Sequence, residues 1–106
     1  MSVDKRRKQN GRLTEPDMPP RTIVDDHGVR IENLYCSQGD HAPPHLHVSG
    51  HGDEVRIGQN GKPLEHEPAL SGHQREIVTR YRNRIRKALK KIGRWHWFHS
   101  LVDRRQ

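Results

Sequence analysis

Strong hydrophobes are scarce in this chain. Leu, Ile, Val and Phe together number 21 of 106 residues, and only one of them is Phe. That fraction, with a net charge of +7, lies at the edge of the composition that leaves chains unfolded. Any core is therefore small, and the length allows one domain. No apolar run approaches the roughly 18 residues needed to span a bilayer. No apolar segment follows the basic N-terminus, so no secretory signal is expected and the expected location is cytoplasmic. Cys36 is the sole cysteine, which excludes an internal disulfide framework and a cysteine-based zinc site. Acids are few as well, with 13 Asp and Glu against 20 Lys and Arg.

What the chain does have is unevenly placed. Residues 1–20 hold only Val3 and Leu13 of the 21 strong hydrophobes, beside Lys5, Arg6, Arg7, Lys8 and Arg12 and the prolines 16, 19 and 20. This reads as a disordered basic arm with a stiff linker. Residues 21–99 read as one domain and 100–106 as a polar tail. Thr22–Val24 and Val29–Tyr35 are β-prone around the turn Asp26-His27-Gly28. His45-Leu46-His47-Val48 and Glu54-Val55-Arg56-Ile57 alternate polar and apolar across a turn at 50–53. Asn60-Gly61 signals a hairpin returning through Lys62–Glu65, where Pro63 confines the strand to an edge.

One helix is plain. Ser71 with Gln74 forms a capping box, and Ile77, Val78, Tyr81, Ile85, Ala88, Leu89 and Ile92 fall on one face. Gly93 is placed to end it. The expected fold is α+β, a small antiparallel sheet of three to five strands packed by one long basic C-terminal helix.

The rest of that helix surface carries Arg75, Arg80, Arg82, Arg84, Arg86, Lys87, Lys90, Lys91 and Arg94, against the single acid Glu76. Like charges four residues apart cost a few tenths of a kcal/mol per pair, a repulsion that a polyanion relieves. Arg80 through Arg94 are thus candidate nucleic-acid contacts, RNA being favoured, with Trp97 as a stacking surface or a core-closing aromatic. An acidic protein is the next partner this charge suggests; an anionic membrane fits less well, because the apolar arc is needed by the sheet.

The segment Asp40-His41-Ala42-Pro43-Pro44-His45-Leu46-His47 admits three readings. His45 and His47 on one strand face, about 7 Å apart at Cα, could chelate a metal ion with His41 or Asp40 as a third ligand. Alternatively, the turn lengths place His47 opposite Arg56 and Arg56 opposite Glu65, giving a His–Arg–carboxylate row. Such a row suits metal-free cleavage of RNA. His47 would act as acid or base, with His45, Glu65 or His41 assisting, and Arg56 would hold the phosphate. An arginine beside His47 would repel a metal, so no cofactor is expected. The third reading is an ordinary polar sheet face.

Gly39-Asp40-His41-Ala42-Pro43-Pro44-His45-Leu46-His47-Val48 resembles the HNPPHVHV-like motif of the small bacterial proteins grouped as domain of unknown function 4160. The likeness covers about Arg21 to Trp97. It implies a β-rich front with a terminal helix; some members of that group resemble parts of two-gene cassettes of toxin–antitoxin type. Glu54 through Leu64, with the basic helix and Ile92-Gly93-Arg94-Trp95, is similar to C-terminal modules of Rhs-type and contact-dependent polymorphic toxins. That likeness implies a nuclease neutralised by an acidic immunity or antitoxin protein. The expectation is thus a toxin-type, metal-independent ribonuclease. Its alternatives are a non-catalytic binding component of a toxin–antitoxin or regulatory pair, and a metal nuclease using His41, His45 and His47.

Overall fold

The computed structural model describes residues 15–35 and 43–104. The basic arm through residue 14, Cys36, Asp40 and His41 lie outside the described residues. Strands β1 (Thr22–Asp26), β2 (Val29–Glu32), β3 (Leu46–Ser49) and β4 (Val55–Ile57) form a four-stranded antiparallel sheet in sequential order. Helices α1 (Gly72–Arg80) and α2 (Arg82–Arg104) follow. The fold is α+β.

Each strand buries one face, as its alternation demands. Val29, Ile31, Leu46, Val48, Val55 and Ile57 are all fully enclosed. The helical face Ile77, Val78, Ile85, Ala88, Leu89 and Ile92 closes over them in one core. A register shift between Thr22 and Val24 lets both Ile23 and Val24 point inward from β1. The β1–β2 turn is His27-Gly28, both with positive φ, which is the twist a two-residue hairpin requires. Gly50 lies against it so closely that a Cβ there would sit 2.0 Å from the Gly28 carbonyl oxygen, and its φ is +93°. Only glycine fits.

Three expectations are revised. Residues 15–20 are packed against the domain instead of leading away from it. Asn33 donates through Nδ2 to the Pro19 carbonyl and through its backbone to that of Arg21. Trp95 donates to Glu15, and Met18 packs on the core. The helix does not stop at Gly93; it runs to Arg104 and takes in most of the expected polar tail. A glycine inside a helix costs up to about 1 kcal/mol, which the turns on either side can bear. The helix is also interrupted, at Tyr81, whose φ of −106° and ψ of 25° leave helical geometry. The Tyr81 hydroxyl donates to Asp26 Oδ2 at 2.6 Å, and Arg80 pairs with the same oxygen at 3.1 Å. This anchors the interruption to the β1–β2 turn.

The Tyr81 hydrogen bond first, and then one from His27, hold the Asp26 carboxyl down to about 2; burial opposes them, and Arg80 adds a smaller lowering. A depressed carboxyl stabilises the fold above its unfolded value and loses that stabilisation as pH falls through its folded value. Asp26→Asn is therefore expected to lower the melting temperature above about pH 4, with parent and variant converging as the pH approaches 2. Thermal melts across that range check it; a constant difference down to pH 2 would contradict it.

Candidate functional site

His47 lies in β3 between the enclosed Leu46 and Val48, so it projects from the face opposite the helices. Its register partner on β4 is Arg56, as the turn lengths require. His47 Nδ1 is 3.0 Å from Glu54 Oε2. An ionised carboxylate only accepts, so Nδ1 carries a proton, and in the neutral form of the ring Nε2 holds the lone pair. The His47 side chain is 20% exposed and Arg56 39%, which leaves both within reach of solvent.

The carboxylate beside Arg56 is not Glu65. The expected two-residue turn at Asn60-Gly61 is one residue longer. Gly58 donates to Lys62, Gly61 donates to Gly58, and Gly61 takes φ +74°. This three-residue loop with glycine in the left-handed position shifts the register by one, so Ile57 faces Pro63 and Leu64 donates to the Arg56 carbonyl. Glu65 then falls in a turn, 87% exposed, 3.6 Å from His66. Glu67 comes back to Arg56 in its place. Its Oε1 accepts the Arg56 backbone N–H at 2.8 Å, and its Oε2 accepts Nε at 2.9 Å and lies 2.9 Å from the second guanidinium arm. The backbone N–H first, and then the guanidinium, hold the Glu67 carboxyl below the usual carboxylate range despite its burial. Glu67 is thus a fixed anion that orients Arg56 and has no proton to give.

His45 joins His47 but is not exposed beside it. It is 2% exposed, donates Nδ1–H to the Pro43 carbonyl at 2.8 Å, and its ring centre is 5.0 Å from that of His47. Tyr35 packs edge-on against it at 5.8 Å and continues to His96 and Trp95 on α2. His45 thereby supports His47 from below. The metal reading of His41, His45 and His47 draws on His41, which lies outside the described residues. Among the described residues no group of three His, Cys, Asp or Glu could hold a metal ion.

The cationic residues of the helices are exposed as their pattern requires. Arg80 is paired with Asp26, and Arg84 donates to the Ile23 carbonyl while lying 4.9 Å from the Tyr81 ring centre. Arg82, Arg86, Lys87, Lys90, Lys91 and Arg94 are exposed, as is Trp97 at 59%. These residues and the His47 row lie on opposite sides of the sheet. A ligand touching both must pass around an edge of the molecule.

Sequence reading missed Glu54 and Glu67. Glu54 was within reach: it shares the polar face of Arg56 and lies diagonal to His47. Glu67 carried no periodic signal, since it returns through a turn. No family model, no curated protein and no solved structure matches this chain.

Proposed function

We propose that the protein is a small RNA-directed domain that cleaves RNA without a metal. The observation that carries the reading is His47, oriented by Glu54 on one side and set against an Arg56 that Glu67 clamps on the other. A neutral imidazole with Nδ1–H engaged presents Nε2 as the base. His47 Nε2 takes the 2′-hydroxyl proton, the 2′-oxygen attacks phosphorus, and the 5′-oxygen leaves with a proton from solvent. Arg56 holds the charge that builds on the phosphoryl oxygens. Glu54 and Glu67 are positioning residues. His45 is too enclosed to exchange protons with substrate and acts by packing.

The exposed cations of Arg80 through Arg94, with Trp97, supply the electrostatic attraction for the strand. Their place across the sheet from His47 favours a second reading, a domain that binds nucleic acid and does not turn it over. In the toxin setting that the motifs suggest, an acidic immunity or antitoxin protein would compete for the same cations. Incubating the purified protein with total RNA and with plasmid DNA, in EDTA, separates these readings. RNA should be cut and DNA spared. Salt-dependent binding with intact RNA would leave the binding reading; cutting restored only by a divalent ion would contradict the metal-free one.

A further inference from the structure

Two clefts, one on each side of the 59–63 turn, together form a trough beside the helices. Its first half is a cleft of about 350 Å³ between the 59–63 turn, the Ala69-Leu70 stretch and the helix interruption, with Leu70, Val78 and Ile85 on its walls. Its second half, about 550 Å³, shares the same turn and continues past Leu64 and Leu89 to Gly93. Val78 to Gly93 spans roughly 22 Å of helix. The 59–63 turn divides the two clefts. Gly61 lies so near Val78 that a Cβ would stand 3.0 Å from Cγ1, and the turn is closed by the Gly58–Lys62 and Gly61–Gly58 hydrogen bonds.

The charge of the trough is one-sided. Lys62, Arg75, Arg82 and Lys90 line it and no Asp or Glu does. It also contains no Phe, Tyr or Trp. A single-stranded nucleic acid needs rings to stack on, which this floor does not offer. Two adjoining aliphatic clefts with a cationic rim suit a helical peptide that has aliphatic anchors and flanking carboxylates. The helix adds room at Gly93, where nothing would obstruct a Cβ.

We propose that this trough docks an acidic, aliphatic segment of a partner protein. The site is separate from the His47 row, and the proposal stands whether or not His47 cleaves RNA. The probe is a fluorescein-labelled peptide with glutamates and leucines at helical spacing, read by anisotropy. Its control has the same charge with each leucine replaced by serine. The leucine peptide should bind at least about tenfold tighter than the control, since each buried aliphatic anchor contributes on this scale. Arg75→Glu with Arg82→Glu should weaken it by about tenfold or more. Arg86→Glu with Arg94→Glu carries the same charge change outside the trough and should weaken it less than about threefold. Ala69→Trp, at an exposed position on the rim, should block the cleft without a change in charge. All the substituted side chains are exposed, and thermal melts verify that each variant is folded. Equal binding of both peptides, equal loss in both charge-reversed pairs, or no effect of Ala69→Trp would each overturn the proposal. Competitive displacement by an oligouridine that is insensitive to the Arg86 and Arg94 changes would give the trough to RNA.

Discussion

His47→Ala is expected to slow RNA cleavage by about a hundredfold or more. A positioned general base contributes roughly 10²–10⁴ in rate, and this ring is the solvent-reachable one of the adjacent pair. The substitution removes an imidazole whose Nδ1 is held by Glu54 and whose neighbour on β4 is Arg56. It leaves Leu46 and Val48 in place, so the sheet should persist. Strand-buried neighbours fix the backbone there independently of the ring. Initial rates on a short RNA, with melting temperature measured in parallel, distinguish lost chemistry from lost structure. A variant that cuts as fast as the parent removes His47 from the mechanism.

Gln74→Leu is expected to destabilise the fold by roughly 2–3 kcal/mol. Gln74 is completely buried. Its Nε2 donates to the carbonyls of Gly50 and Asp53, both at 2.9 Å, and its Oε1 accepts the Ser71 backbone N–H at 2.9 Å. The side chain thus serves the capping box and the β3–β4 loop together. Leucine fills a similar volume but leaves those backbone groups without it, and an enclosed unpaired carbonyl or amide costs about 1–3 kcal/mol. For a domain of this size that loss lowers the melting temperature by about 10–20 °C. Because the β3–β4 loop sets the pairing of His47 with Arg56, activity should fall at temperatures below the melt as well. A melt within a few degrees of the parent would show that the loop is held by other contacts.

The same residue shows how far local sequence reaches. Ser71 and Gln74 announce a capping box, and the box is there. Nothing local says that Gln74 also spans to residues 50 and 53, because that depends on where the helix lies on the sheet. The alternation in 45–48 and 54–57, with a four-residue turn between, is enough to pair His47 with Arg56. The next hairpin fails by one residue. Asn60-Gly61 fits a two-residue turn, yet the close approach of Gly61 to Val78 accompanies a three-residue loop whose glycine takes the left-handed position. That single step moves Glu65 into solvent and lets Glu67 take its place. The helix interruption is equally silent in sequence. No proline or glycine marks Tyr81; its hydroxyl and Arg80 are fixed by Asp26, 55 residues earlier in the case of Tyr81. Gly93 has the look of a helix terminator, yet Trp95, His96 and His99 make contacts that carry the helix onward.

The charge pattern was legible as exposure and not as location. Periodicity places the cations away from the core, but only the assembled sheet shows that the His47 row lies on its other side. The proposed cleavage and the proposed binding should therefore be separable by substitution. Charge reversal on the helix should act on affinity and its salt dependence, and changes at His47 or Arg56 on turnover.

The most direct measurement is the chemistry of the cut ends. RNA of defined sequence is incubated with the protein in EDTA and the fragments are resolved by mass. Attack by the 2′-oxygen, with His47 as base, predicts fragments ending in a 2′,3′-cyclic phosphate and beginning with a 5′-hydroxyl. A substrate carrying 2′-deoxyribose at the cleaved position should stay whole. Fragments with 3′-hydroxyl and 5′-phosphate ends, or uncut RNA under all these conditions, would contradict the account.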